Sequence, residues 1–97
     1  AEIVARLDTF ARTLPDDAWI TGRGWTPDMF PSNTAHHRYL DSAFADRPVL
    51  LTDRDGHQTL SNRRALSLAG IGRETPEPAG GAIVRDPDGS PTGLLQE

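Results

Sequence analysis

Apolar residues recur at helical spacing near the start of the chain. Ile3, Val4, Leu7, Phe10, Ala11 and Leu14 share one face, and Pro15 stops the run, which predicts an amphipathic helix over residues 2–14. From residue 17 the period changes. Trp19 alternates with Thr21 and Ile20 with Gly22, predicting a strand over 17–25 that runs into a glycine bend. Residues 26–35 are rich in Pro, Ser, Asn and Thr and read as a loop. A short helix around 35–44 follows, with Tyr39, Leu40 and Phe44 turned inward. Residues 49–53 form a strand, Arg54-Asp55-Gly56 a tight turn, and residues 57–61 the returning partner. Asn62 is a fitting N-cap for a helix over 63–69, and Gly70 a fitting residue to close it. Beyond a polar loop at 72–81, residues 82–86 and 92–96 flank Pro87-Asp88-Gly89-Ser90 as a second hairpin. The fold class is α+β: a small mixed sheet of about five strands, two hairpins and three short helices.

Composition narrows what such a unit can do. Ten Leu, four Ile, three Val and three Phe make a thin core for 97 residues, and eight Pro and nine Gly cut the elements short. No apolar run is long enough to cross a membrane. The formal charge is −4, and no basic stripe interleaved with aromatics suggests a nucleic acid partner. There is no Cys, hence no disulfide, thiolate metal site or Cys nucleophile. Lys is also missing, which removes Schiff-base chemistry, a phosphate-binding lysine and a carbamylated bridge between metals. All ten side-chain cations are Arg. Residues 1–15 are charged throughout and unlike a secretory leader, so the expected location is the cytoplasm. The chain begins without Met and stops within an apolar run. Residues 1–97 are therefore read as one small domain belonging to a longer chain.

Three histidines invite a metal reading. His36 and His37 are adjacent, and neighbours on a helix or strand point apart, so they are poor joint ligands for one ion. Both are expected on a solvated face, and no metal ligand is assigned. His57 differs, because Asp55-Gly56-His57 sets it at a junction of turn and strand. Two readings stay open: a ring presented to a ligand, or one that fixes the hairpin. Asp53 and Asp55 would orient that imidazole or make local turn bonds. Gly22-Arg23-Gly24-Trp25 lacks phosphate-loop spacing and reads as a bend packed by Trp25. Trp19 and Trp25 are expected as core anchors, Arg63 and Arg64 on a solvated helix face, and Asp16-Asp17, Asp86 and Asp88 in turns. No serine stands in the setting of an activated nucleophile.

The order of phrases does carry a resemblance. Trp19–Trp25 (WITGRGW) is followed by Leu40-Asp41, Asp46–Leu51, Asp55-Gly56-His57 and Asn62 with Ala65-Leu66 and Ala69-Gly70-Ile71. Thr75–Gly81, Ile83–Asp86, Gly89 and Pro91–Glu97 complete the series. From about residue 17 onward the chain resembles the middle of the YtcJ-like, family 3 branch of the amidohydrolase superfamily. The stretch Asn33–Arg38 departs from the Pro/Thr-Arg pattern more usual before the Leu-Asp pair.

The resemblance implies a parent hydrolase built on a (β/α)₈ barrel, with one or two divalent metals, commonly zinc, at its mouth. Metal-bound hydroxide would attack an amide-type carbonyl carbon, and a barrel aspartate would shuttle the proton. The ligands implied are a His-x-His pair, a lysine, two further histidines and an aspartate, none of which this chain contains as such motifs. This segment would be an inserted subdomain beside the mouth, holding no catalytic residue or metal ligand, with His57 and Asn62 facing the substrate. The implied partners are the rest of the barrel and a small molecule, with a homo-oligomer as a further option, and neither nucleic acid nor membrane. The alternative is a non-catalytic lid or interaction module that supports fold or assembly.

Overall fold

The computed structural model describes residues 2–15, 18–78 and 80–96, without the side chains of Glu2, Ile3 and Val4. Three helices, α1 (Glu2–Ala11), α2 (Arg38–Asp41) and α3 (Arg63–Leu68), accompany five strands. These are β1 (Ile20–Trp25), β2 (Val49–Asp53), β3 (Gln58–Ser61), β4 (Ala82–Arg85) and β5 (Pro91–Gln96). They form one mixed sheet in the order β1-β2-β3-β5-β4. β1 runs parallel to β2, which requires the long connection through α2, while β2–β3 and β4–β5 are antiparallel hairpins. β3 and β5, distant in sequence, close the middle of the sheet with Leu60 opposite Leu94.

Alternation decides the core. Ile20, Val49, Leu51 and Leu60 are buried on one face, where Leu40, Phe44, Leu7 and Ala11 meet them. Leu51 is 2% exposed in the second strand from the edge. Leu51→Ala should therefore cost roughly 2–5 kcal/mol, read by denaturant unfolding. A loss near zero would mean that the surrounding core collapses onto the gap.

The helical stripe of α1 is narrower than its periodicity suggests: Leu7 and Ala11 are buried, but Phe10 is 46% exposed. Asp16-Asp17 and the side chains of Ile3 and Val4 lie outside the description. The expected loop at 26–35 contains two 3₁₀ turns, Pro27–Met29 and Pro31–Asn33, each opened by a proline whose missing N–H costs nothing there. The two tryptophans part company. Trp25 is buried, its ring edge-on to Phe30 at 5.6 Å and its indole N–H donating to the Leu51 carbonyl at 2.9 Å. Trp19, expected in the core, is 44% exposed. The register of β1 against β2 slips between Arg23 and Trp25, and this bulge turns Trp25 inward where strict alternation would turn it out.

Arginine holds the periphery together. Arg47 donates to the carbonyls of Ala11, Pro15 and Ala18, tying the end of α1 to the entry of β1. Arg85 donates to the carbonyls of Gly72, Arg73, Thr75 and Gly89, fastening the polar loop onto the β4–β5 hairpin. Arg63 and Arg64 are exposed as expected. No described helix is long and apolar enough to cross a membrane.

Candidate functional site

The β2–β3 turn is built around Asp53. Its Oδ1 accepts from the backbone N–H of His57 at 3.0 Å and of Gln58 at 3.2 Å, and its Oδ2 from the Gln58 amide at 3.4 Å. Partial desolvation works to raise its pKa, but these N–H donors outweigh it and hold the carboxyl below its ordinary 3.8. The sign follows: the charged form stabilises the turn above the ordinary value, and that contribution is lost as pH falls through the lower folded one. Asp53 thus bonds the chain of His57, not its imidazole. The ring is exposed and has no partner among the described residues. His57 is thus an exposed side chain carried on a turn that Asp53 fixes.

Asn62 is the opposite case. It is 0% exposed, and its amide is fully used. Oδ1 accepts from the Val49 N–H at 3.0 Å and the Ala65 N–H at 2.9 Å. Nδ2 donates to the carbonyls of Phe44 at 2.8 Å and Arg47 at 2.7 Å. The N-cap reading is therefore correct, and the same side chain also staples β2 and the approach to it. No donor or acceptor is left to meet a substrate, so the substrate contact expected of Asn62 has no free atom to make it.

His36 and His37 correct the sequence reading. Both are buried, at 6% and 9% exposure, not on a solvated face. His36 Nδ1 accepts from the Arg38 N–H at 3.1 Å, so Nε2 carries the proton and donates to Asp86 Oδ2 at 2.9 Å. His37 Nδ1 donates to Asp41 Oδ2 at 2.5 Å, while Asp41 Oδ1 accepts from the Arg63 N–H at 2.8 Å. The two rings lie 4.4 Å apart between centroids. Burial is possible because each imidazole has its own carboxylate. The signal that would have found one of them was local: Asp41 stands four residues after His37, one helical turn away. Asp86 and the Thr92 carbonyl, which accepts from the His37 N–H at 2.7 Å, come from β4–β5 and were not legible.

These groups do not assemble a metal centre. Among the described residues no three of His, Cys, Asp and Glu are placed to hold an ion. Asp86 and Asp41 are already engaged with His36 and His37. The donor set thus does not fit the metal that the family resemblance implies, and no step through a metal follows from it. A groove of about 530 Å³ beside β1 is lined by Leu7, Gly22, Trp25, Met29 and Leu51, with Arg6 at its side. None of His37, His57 and Asn62 reaches it.

Comparison with known proteins decides the family, because the amidohydrolase family model matches residues 1–97. This chain belongs to the amidohydrolase family. It is 48% identical over 86 residues to YtcJ of Bacillus subtilis, a protein named for the amidohydrolases, covering 87% of this chain and 16% of that one. It is 36% identical over 97 residues to the N-substituted formamide deformylase of Arthrobacter pascens, covering 99% of this chain and 18% of the relative. The protein LONG AFTER FAR-RED 3 of Arabidopsis thaliana is 36% identical over 99 residues, with 95% and 17% covered. Among solved structures, a metal-dependent hydrolase of Pyrococcus furiosus superposes with a TM-score of 0.67 at 25% identity, over 99% of this chain and 16% of that chain. The amidohydrolase chain described here thus spans about a sixth of the length of these relatives, and the YtcJ-like resemblance read from its phrase order is correct.

Proposed function

We propose that this amidohydrolase segment is the substrate-proximal insert of a metal-dependent hydrolase that acts on non-peptide C–N bonds of the amide type, inert in isolation. The observation that supports this reading is the family match over the whole chain, with a formamide deformylase among the relatives. The divalent ion, zinc by expectation, would be held by residues of the parent outside this chain. His57 is the substrate-facing group: its exposed ring, on a turn fixed by Asp53, offers a neutral nitrogen to a substrate carbonyl. The partners of the segment are the rest of the barrel and a small-molecule amide.

The test uses the full-length protein that carries this segment, assayed on N-substituted formamides and related amides. His57→Ala should lower kcat/KM by about 10²-fold with bound metal unchanged. Normal turnover with a lower melting temperature would retire His57 as a site residue and leave it a turn residue. A full-length protein that cleaves no C–N bond would favour the lid or interaction module. The 97-residue chain alone is expected to hydrolyse none of these amides and to hold no stoichiometric zinc. Metal analysis checks this, and one tightly held ion per chain would contradict it.

A further inference from the structure

The chain carries a net charge of −4, yet the groove beside β1 is lined by two arginines, Arg6 and Arg23, against one carboxylate, Asp28. Asp28 is taken up by the Thr26 hydroxyl, which donates to its Oδ1. Elsewhere arginine works for the fold. Arg47 and Arg85 donate to backbone carbonyls, Arg12 pairs with Asp8, and Arg73 with Asp88. Arg23 does not. Its guanidinium has no hydrogen bond or ion pair among the described residues, and an arginine stays charged at any working pH.

The local fold decides where that charge stands. Parallel pairing sets Arg23 opposite Thr52, near the end of both strands. The Arg54 N–H donates to the Trp25 carbonyl at 2.9 Å, which draws the β2–β3 turn against the end of β1. Gly56 in that turn has φ of +78° and no side chain, and Arg23 fills the room this leaves. A Cβ at Gly56 would stand 3.0 Å from Arg23 Nη2. The next residue is His57. Arg23 therefore both lines the groove and rests on the turn that carries the substrate-facing ring. Away from Arg23 and Arg6 the groove is largely apolar, walled by Leu7, Trp25, Met29 and Leu51, and Gly22 and Gly24 put no side chain into it. Its volume of about 530 Å³ is that of a small-molecule site.

We propose that Arg23 binds a carboxylate on the amide substrate while the groove beside it takes an apolar substituent, so that this segment selects amides carrying both. This rests on the C–N hydrolase reading above, with His57 facing the amide. It makes Arg23 a specificity-determining residue. A planar guanidinium with no protein partner can meet a carboxylate with two parallel N–H bonds, and the cation's place on a tight turn limits where that carboxylate can sit. An apolar group on the same substrate leaves water for the walls of Leu7, Trp25, Met29 and Leu51.

The experiment compares formamides on the full-length protein. N-formylleucine and N-isopentylformamide differ only in the carboxylate, and wild type should prefer the first by about tenfold or more in kcat/KM. Arg23 is exposed and bonds nothing in the fold, so Arg23→Gln should melt close to wild type and lose most of that preference. Arg64→Gln removes the same charge from an exposed helix face and should keep it, which separates a contact from the general field of the protein. N-formylleucine should also be preferred over N-formylglycine by about tenfold, and Met29→Asp, at an exposed position of the wall, should shrink this second preference. Equal turnover of the first pair, or a preference that survives Arg23→Gln or falls equally in Arg64→Gln, overturns the inference while the hydrolase reading stands. An unchanged leucine preference in Met29→Asp overturns it likewise. A wild-type protein that cleaves no amide overturns the hydrolase reading, and the inference with it.

Discussion

Asn62→Leu, a change of similar bulk, is expected to destabilise this fold by on the order of 4 kcal/mol or more. The substitution strands four backbone groups at once: the buried N–H of Val49 and Ala65, the buried carbonyl of Phe44 and the part-buried carbonyl of Arg47. Each stranded group costs about 1–3 kcal/mol, and a domain has only about 5–15 kcal/mol in total. Leucine gains apolar burial in return, but in a site enclosed by polar atoms that gain does not offset four lost bonds. Asn62→Asp should fall between, because one carboxylate oxygen keeps the Val49 and Ala65 bonds while the other faces two carbonyls. Arg64→Ala, on the exposed side of the same helix, should change stability by less than about 0.5 kcal/mol. Denaturant unfolding of the four proteins reads the series. A loss below about 1 kcal/mol for Asn62→Leu would show that these backbone groups find other partners, and would return Asn62 to the candidates for a ligand contact.

The features legible in the sequence were local ones. The β2–β3 hairpin could be read because the short apolar run Val49-Leu50-Leu51 follows Pro48 and Arg54-Asp55-Gly56 turns the chain within three residues. Asn62 as an N-cap could be read because its cap bond to Ala65 spans three residues. Its bonds to Phe44, Arg47 and Val49 reach back 13 to 18 residues and leave no periodic trace. The histidine pair shows the same divide: His36 is partnered by Asp86, fifty residues on. A polar side chain reads as solvated until its partner is known, because only that partner makes burial affordable. The turn around His57 was visible from Asp55-Gly56-His57, but not which atom of His57 the turn would use. Trp19 was misjudged and Trp25 was not, because a bulge between them turns Trp25 inward while Trp19, on the same side of a strictly alternating strand, stays out.

The last expectation concerns the contact on which His37 rests. Gly93 has φ of +95°, and a Cβ added there would overlap the Ser61 carbonyl oxygen and crowd His37. Both neighbours are themselves fixed, Ser61 in β3 and His37 by the Thr92 carbonyl, so neither can withdraw without breaking pairing in the middle of the sheet. Gly93→Ala should therefore cost about 3–5 kcal/mol, combining backbone strain with overpacking. Gly24 separates the two contributions. Its φ is +99°, yet a Cβ there meets nothing within 4 Å, so Gly24→Ala carries the strain alone, about 1–2 kcal/mol. The difference between the two unfolding free energies measures the steric contact. Equal losses from the two substitutions would mean that β5 and α2 yield easily, and that His37 is held by Asp41 alone.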